Sequence, residues 1–320
     1  MQDNFGRNIH YLRISVTDRC NLACSYCVPN EKFKLLPRSE ILSFDEIALV
    51  VKSGVRAGIN KVRVTGGEPF ARKGVVDLLA QLLGIPGIQK LGITTNGILL
   101  GKHLNRLREL KLDNINISLD TLIPAKFEQI TRKNAWQSTW DAITKAVSMG
   151  FKNIKINIVA MKGINNDEFS DFARLTLKYP IQVRFIEFMP YGCWHDRNDL
   201  FISGRDIIAG IVKLGQVKEL EKTSLDGPAK LFALHGSLGN IGIITAVSEH
   251  FCSSCNRLRL SADGKLRPCL YSDSSVDLKP VLRAKFLKED EIFNLFAKAI
   301  TLKPARHGCS RNFAMSTIGG

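Results

Sequence analysis

A chain of 320 residues, 45% hydrophobic and 23% charged, has the balance of a globular protein and suits a barrel with an appendage. No run approaches 18 apolar residues, and Met1–Phe5 carries neither a basic nor an apolar signal region. The sequence therefore predicts a cytoplasmic protein with no membrane span and no leader. The formal net charge of +15 asks for an anionic partner, either an RNA on a broad basic face or a nucleotide triphosphate in a focused pocket.

Short β-branched runs at 11–16, 61–65, 90–95, 114–119, 153–159 and 182–188 read as strands, each followed by a helix-like stretch. Ser43-Phe44-Asp45-Glu46 is a capping box, and Ile47, Val50, Val51 and Val55 follow it at helical spacing up to Gly58. Further helices are predicted at 74–83, 102–110, 139–149, 167–177 and 205–214. Strict alternation with right-handed crossovers gives a parallel sheet, and six units give an incomplete (β/α)6 TIM-type barrel, an open α/β arc. Active groups then belong at the C-terminal ends of the strands. Beyond about residue 215 the composition changes. The polar stretch 218–230 reads as a linker, and strand-like pieces at 231–234 and 241–247 follow. The expected domains are a core over 5–216 and a smaller C-terminal α+β domain over 217–320 closing the barrel mouth.

Eight cysteines in a cytoplasmic chain read as metal or redox ligands. Cys20, Cys24 and Cys27 follow the first strand as C-x3-C-x2-C, three thiolates with no nearby fourth. They read either as a structural zinc knuckle or buried thiols, or as ligands that leave one iron of a four-iron cluster open to another ligand. Cys252, Cys255 and Cys269 form a second triplet. They hold either another cluster with an open iron, beside the alternating Arg257 and Arg259, or a zinc ion completed by His250 or His307. Cys193 and Cys309 read as unligated thiols. Thr65-Gly66-Gly67-Glu68-Pro69 is either a tight turn or a place where backbone meets a charged ligand, with Glu68 able to accept from an ammonium. Thr94-Thr95-Asn96-Gly97 and Ser118-Leu119-Asp120 put hydroxyls and amides at strand ends, where they suit ribose or carboxylate recognition or simply make turns. Met189 either flanks an adenine or belongs to the core. Arg13, Lys61, Arg63, Lys155 and Arg184 lie within parallel strands, where charge is rare. One or two of them can sit at strand ends in solvent; the rest, aimed into one cavity, need a highly charged anion, and a triphosphate fits.

Taken in order, the motifs form one set. They are Arg13-Ile14-Ser15-Val16-Thr17-Asp18-Arg19-Cys20 through Tyr26-Cys27, Arg63-Val64-Thr65-Gly66-Gly67-Glu68-Pro69, Thr94-Thr95-Asn96-Gly97, Asn116-Ile117-Ser118-Leu119-Asp120 and Phe185-Ile186-Glu187-Phe188-Met189. Phe251-Cys252-Ser253-Ser254-Cys255-Asn256-Arg257-Leu258-Arg259-Leu260, Asp263-Gly264-Lys265-Leu266-Arg267-Pro268-Cys269 and the closing Ile318-Gly319-Gly320 complete it. Together they resemble the GTP 3′,8-cyclases (molybdenum cofactor biosynthesis protein A) of the radical S-adenosylmethionine (SAM) superfamily, over essentially the full length.

The resemblance implies two [4Fe–4S] clusters, one on Cys20, Cys24 and Cys27 that cleaves SAM and one on Cys252, Cys255 and Cys269 that meets the guanine. It implies SAM contacts from Tyr26, Gly67, Ser118 and Met189. GTP contacts are implied for Arg13, Arg63, Thr94, Lys155, Arg257 and Arg259, with Lys61 and Arg184 as helpers. No catalytic side chain is implied beyond these ligands, and the Gly319-Gly320 tail is expected to enter the pocket. Hydrogen removal from ribose C3′, closure on C8 and quenching by one electron and one proton would give (8S)-3′,8-cyclo-7,8-dihydroguanosine 5′-triphosphate, the first step of molybdopterin formation. Implied partners are a flavodoxin- or ferredoxin-like reductant and a downstream cyclic pyranopterin monophosphate synthase. A homodimer is allowed, whereas a nucleic-acid polymer and a membrane are not expected. The alternative is a radical SAM enzyme whose auxiliary cluster serves RNA or peptide modification. The segment 306–317 maps to no pattern.

Overall fold

The computed structural model describes residues 1–27, 35–190, 196–221, 227–286, 288–308 and 318. In chain order its elements are β1 (Tyr11–Ser15), α1 (Phe44–Arg56), β2 (Lys61–Thr65), α2 (Val75–Leu83), β3 (Lys90–Thr95), α3 (Leu104–Glu109), β4 (Asn114–Ser118), α4 (Pro124–Thr131) and α5 (Trp136–Ser148). There follow β5 (Asn153–Ala160), α6 (Phe169–Lys178), β6 (Gln182–Glu187), α7 (Gly204–Val212), β7 (Val217–Leu220), β8 (Lys230–Leu234) and β9 (Asn240–Ile244). The chain ends with β10 (Arg257–Leu260), β11 (Lys265–Arg267), β12 (Val276–Asp277), α8 (Lys279–Leu282) and α9 (Glu289–Thr301). The six strands predicted from β-branched runs form within a residue or two of their expected limits.

Two compact units result. One holds the described residues of Met1–Thr94 and Cys252–Gly320, the other those of Thr95–Pro190 and Trp194–Phe251. In the first, the strand order is β12-β11-β10-β1-β2-β3, and β10, β1, β2 and β3 run parallel. β11 and β12 return antiparallel. In the second, the order is β4-β5-β6-β9-β8-β7, parallel from β4 to β9 and antiparallel thereafter.

Buried parallel strands usually read as continuous apolar runs, but here they alternate. In the first unit, Leu258, Leu12, Val62 and Leu91 stand in one transverse row, and Leu260, Ile14, Val64 and Ile93 in another. All eight are buried. α1 packs on α2 and α9. Gly54 of α1 permits the close approach, since a Cβ there would stand 3.0 Å from the Phe296 ring of α9. In the second unit the apolar rows run through Ile117, Ile156, Val183 and Ile241 and through Ile158, Phe185 and Ile243. Phe169 and Phe172 of α6 meet Phe185 edge-on, with centroids 5.1 and 6.3 Å away.

Strand ends are held by buried and half-buried polar side chains. Arg72 donates to the carbonyls of Val16 and Leu42, fixing the exit of β1. Glu187, at the end of β6, accepts from the amides of Gly204, Val247 and Ser248 and from the Ser248 hydroxyl. Asn165 donates to the carbonyls of Asp120 and Val159 and accepts from the Met161 amide, tying β4 to β5.

Part of the stretch expected to be a linker is strand. Val217–Leu220 pairs antiparallel with β8 as an edge, and its exposed Lys218 and Glu219 masked the weak alternation. α4 and α9 also escaped the periodicity reading. Among the described residues no helix is long and apolar enough to cross a membrane.

The capping box forms in full: the Glu46 amide donates to Ser43 Oγ at 3.1 Å, and the Ser43 amide to Glu46 Oε2 at 2.6 Å. Ser43→Ala is expected to lower stability by about 1 kcal/mol. Urea unfolding should show this as a lower midpoint with an unchanged slope.

Candidate functional site

The face of the first sheet opposite the apolar rows carries charge. Arg267, Arg259, Arg13 and Arg63 occupy one transverse row on four adjacent strands, and Arg257, Tyr11, Lys61 and Lys90 occupy the next. Period-two geometry puts both rows on one face. Arg63 is 5% exposed and Arg259 7%. Arg63 Nε donates to the Tyr11 hydroxyl at 2.9 Å and Nη1 to the Ile93 carbonyl at 3.0 Å. Lys61 Nζ lies 4.8 Å from the centroid of the Tyr11 ring.

The electrostatic effect is visible in the titrating groups. Burial opposes ionisation of Tyr11, but Arg63, Arg13 and Lys61 outweigh it and bring the phenol down to about 6. Burial, reinforced by Arg13 and Arg257, lowers the Arg259 guanidinium to about 9. Arg13 is lowered too, chiefly by burial, with Arg63 and Arg257 adding and Tyr11 opposing. Such a face favours an anion of high charge. Thr94, two residues beyond Gly92 in the same row system, keeps its buried Oγ1 without a hydrogen-bond partner.

The second cysteine triplet borders this face. Cys252–Ser254 forms a 3-10 turn, and the Cys255 amide closes it on the Cys252 carbonyl. β10 then runs from Arg257, and β11 leads to Cys269. Burial raises the Cys255 thiol, but Arg257 and Lys303 prevail and bring it down to about 7. A thiolate is what an iron–sulfur cluster requires. Among the described residues, no three His, Cys, Asp or Glu side chains are gathered closely enough to hold a single metal ion. The zinc alternative needs such a set, whereas a cubane takes each thiolate on a different iron. His307 stacks on Tyr271 with ring centroids 4.3 Å apart, and His250 Nδ1 lies 3.0 Å from the Ala246 carbonyl.

The first triplet follows β1. Cys20, Cys24 and Cys27 form no disulfide, Cys20 exposed and the others half-buried. The Leu22 amide donates to Cys20 Sγ at 3.4 Å, and the Cys27 amide to the Cys24 carbonyl at 3.0 Å. Gly66 and Gly67 are required by neighbouring backbone. Gly67 donates to the Thr17 carbonyl at 2.7 Å and Glu68 to the Arg19 carbonyl at 2.8 Å. A Cβ on Gly67 would stand 2.3 Å from the Arg19 oxygen. The glycine turn therefore shapes the loop that delivers Cys20. Glu68, 1% exposed, accepts from the Phe70 amide. Tyr26 is half-buried beside Cys27.

In the second unit, Asn116, Lys155, Gln182 and Asn240 share one row, and Ser118, Asn157, Arg184 and Gly242 the next. Arg184 Nε donates to Gln182, which in turn donates to Asn240. Buried Oδ1 atoms of Asn116 and Asn157 lack hydrogen-bond partners. Asp120 accepts from the Val159 amide of β5, and Asn96 from the Ile98 amide of its own turn. Met189 is half-buried after β6.

Tyr11, Arg267 and Lys303 were missed as site residues. The first two were legible in principle, since each shares the period-two face with residues that were found. Lys303 carries no such signal. Cys193, Cys309 and the Gly319-Gly320 tail lie outside the described residues.

The Radical SAM superfamily model matches residues 14–176, and the Molybdenum Cofactor Synthesis C model residues 181–309. The GTP 3′,8-cyclase of Desulforamulus reducens is 47% identical over 328 residues, covering 100% of both chains. That of Thermodesulfovibrio yellowstonii is 47% identical over 326 residues, again covering 100% of both. Molybdenum cofactor biosynthesis protein 1 of Mus musculus is 42% identical across 98% of this chain and 49% of its own length. Among solved structures, Streptococcus suis SuiB bound to S-adenosylmethionine matches with a TM-score of 0.60 at 14% identity. The match covers 91% of this chain and 65% of SuiB, and it shows the fold: an α/β, incomplete TIM-type barrel with a C-terminal domain.

Tyr11 supplies a direct test of the cationic face. In the metal-free chain, absorbance at 295 nm should reveal one tyrosine ionising near pH 6, absent in Tyr11→Phe. Adding tripolyphosphate should move that transition upward, because a bound anion cancels the positive charges that favour the phenolate.

Proposed function

We propose a division of labour for this chain, which belongs to the GTP 3′,8-cyclase family of radical SAM enzymes and catalyses, as that family does, the first step of molybdenum cofactor biosynthesis. Two [4Fe–4S] clusters and SAM are its cofactors. Cys20, Cys24 and Cys27 hold one cluster, and Cys252, Cys255 and Cys269 the other. The observation that carries the substrate assignment is the two-row cationic face, whose desolvated guanidiniums call for a polyanion.

Arg13, Arg63, Arg257 and Arg259 bind the triphosphate of GTP, with Lys61 in the adjoining row. Guanidiniums suit this work, since each presents several donors in a fixed fork. Their rigidity comes from the strands, so anchoring the phosphates also fixes the ribose. Thr94 Oγ1 offers a buried polar contact to the same substrate. SAM bound at the first cluster supplies the one-electron chemistry that removes a hydrogen atom from ribose C3′. Closure of C3′ on C8 takes place within the held nucleotide, one electron from the reductant and one proton then complete the dihydroguanine, and the pocket's remaining duty is to exclude other hydrogen donors. Tyr26 and Gly67 contact SAM beside the first triplet. The roles of Ser118 and Met189 toward SAM, and of Lys155 and Arg184 toward GTP, rest on family membership alone. So do a core over 5–216 with a C-terminal domain over 217–320, a flavodoxin- or ferredoxin-like donor, a downstream cyclic pyranopterin monophosphate synthase, and a cytoplasmic location.

Anaerobic turnover with SAM, dithionite and GTP should yield 5′-deoxyadenosine and a 3′,8-cyclised nucleotide in equal amounts. A fully loaded enzyme that forms no cyclised nucleotide overturns the reading. Arg257→Ala, with both clusters intact, should weaken GTP binding roughly tenfold to a hundredfold, the range of a lost charged hydrogen bond. Alternatively it should uncouple SAM cleavage from cyclisation. Equilibrium dialysis and product ratios check this, and wild-type values for both would remove Arg257 from the site.

A further inference from the structure

Lys303 lies two residues beyond the end of α9 and is 3% exposed. Its Nζ donates to three acceptors: Cys255 Sγ at 3.5 Å, the Arg257 carbonyl at 2.8 Å and the Pro268 carbonyl at 2.8 Å. An ammonium has three N–H donors and no acceptor, so this arrangement uses it completely. A neutral amine would have one donor too few. The contacts are also well chosen in sequence. Arg257 begins the strand that follows Cys255, and Pro268 immediately precedes Cys269. One buried cation thus ties together the two chain segments that deliver two of the three thiols.

A second cation braces the third. Arg7, its side chain 5% exposed, donates from Nη1 to the Cys252 carbonyl at 2.7 Å and from Nη2 to the Pro304 carbonyl at 2.7 Å. Asp3 fixes Arg7 through Nε at 2.6 Å. Because Pro304 is the next residue after Lys303, the two braces share one anchor. Neither residue belongs to either cysteine motif.

We propose that Lys303 is a positioning residue for the second cluster, holding Cys255 and Cys269 in register and directing an N–H donor at the Cys255 sulfur. This rests on the cluster assignment above. Donors to ligand sulfur stabilise the more negative, reduced state and so raise the reduction potential, and residues behind metal ligands govern how readily the site loads.

The test compares loaded wild type with Lys303→Met, similar in length but without charge, and Lys303→Arg, which keeps a cation. Iron content and EPR-monitored redox titration of each cluster are measured, with the first cluster as internal control. Wild type should hold about eight irons, as two four-iron clusters require. Fewer than that in wild type sinks the cluster assignment itself. In Lys303→Met the second cluster should either become at least tenfold harder to reduce, about 59 mV for a one-electron couple, or be lost while the first remains. Lys303→Arg should recover at least part of either effect. Full loading with an unchanged potential in Lys303→Met overturns the proposal, and so does a loss that Lys303→Arg repairs not at all.

Discussion

Four guanidiniums in one transverse row of a sheet repel each other, and everything near them is arranged around that cost. Strands β11, β10, β1 and β2 bring Arg267, Arg259, Arg13 and Arg63 level with one another. Water is largely excluded from Arg63, Arg259 and Arg267. The group that offsets the charge within these rows is a weak acid, the Tyr11 phenol. A carboxylate in this row would neutralise it permanently. A phenol gives partial relief and leaves the field available to a triphosphate.

The same economy explains the loop after β1. Gly66 and Gly67 lie so close to Thr17–Arg19 that any side chain would collide with backbone. The amides of Gly67 and Glu68 are spent on that loop. Sequence alone left open whether the glycines served a turn or a ligand. The geometry shows that they serve the turn first, and that the turn's product is the position of Cys20. Similarly, Asp120 and Asn96 bond to nearby amides, whereas Thr94 Oγ1 keeps a buried lone pair uncommitted.

What was legible in the sequence was whatever has a period or a motif. The six parallel strands showed themselves through β-branched runs, α1 through its capping box, and the cations through their unusual presence inside strands. β7 was hidden because an exposed edge strand with Lys218 and Glu219 has no apolar face to display. β10 was too short to announce itself, although the alternation of Arg257 and Arg259 already fixed which way those residues point. Lys303 could not have been found at all. Its importance comes from three acceptors that are 35 to 48 positions away in the chain, and a lone lysine after a helix looks like any solvated lysine.

The C-terminal segment is bound into the first unit at several independent points. β10 pairs with β1 along four residues, α9 packs on α1, Arg7 reaches Cys252 and Pro304, and Arg283 and Lys279 pair with Glu46 and Glu40. Two thiol triplets more than 220 positions apart therefore grow from one sheet. Cys20 lies beyond the C-terminal end of β1, and Cys255 lies just before the N-terminal end of its parallel neighbour β10. Parallel pairing thus puts the two triplets at opposite ends of the strands, with the arginine rows between them. An anion gripped by those rows therefore lies along one sheet, between the two cysteine triplets.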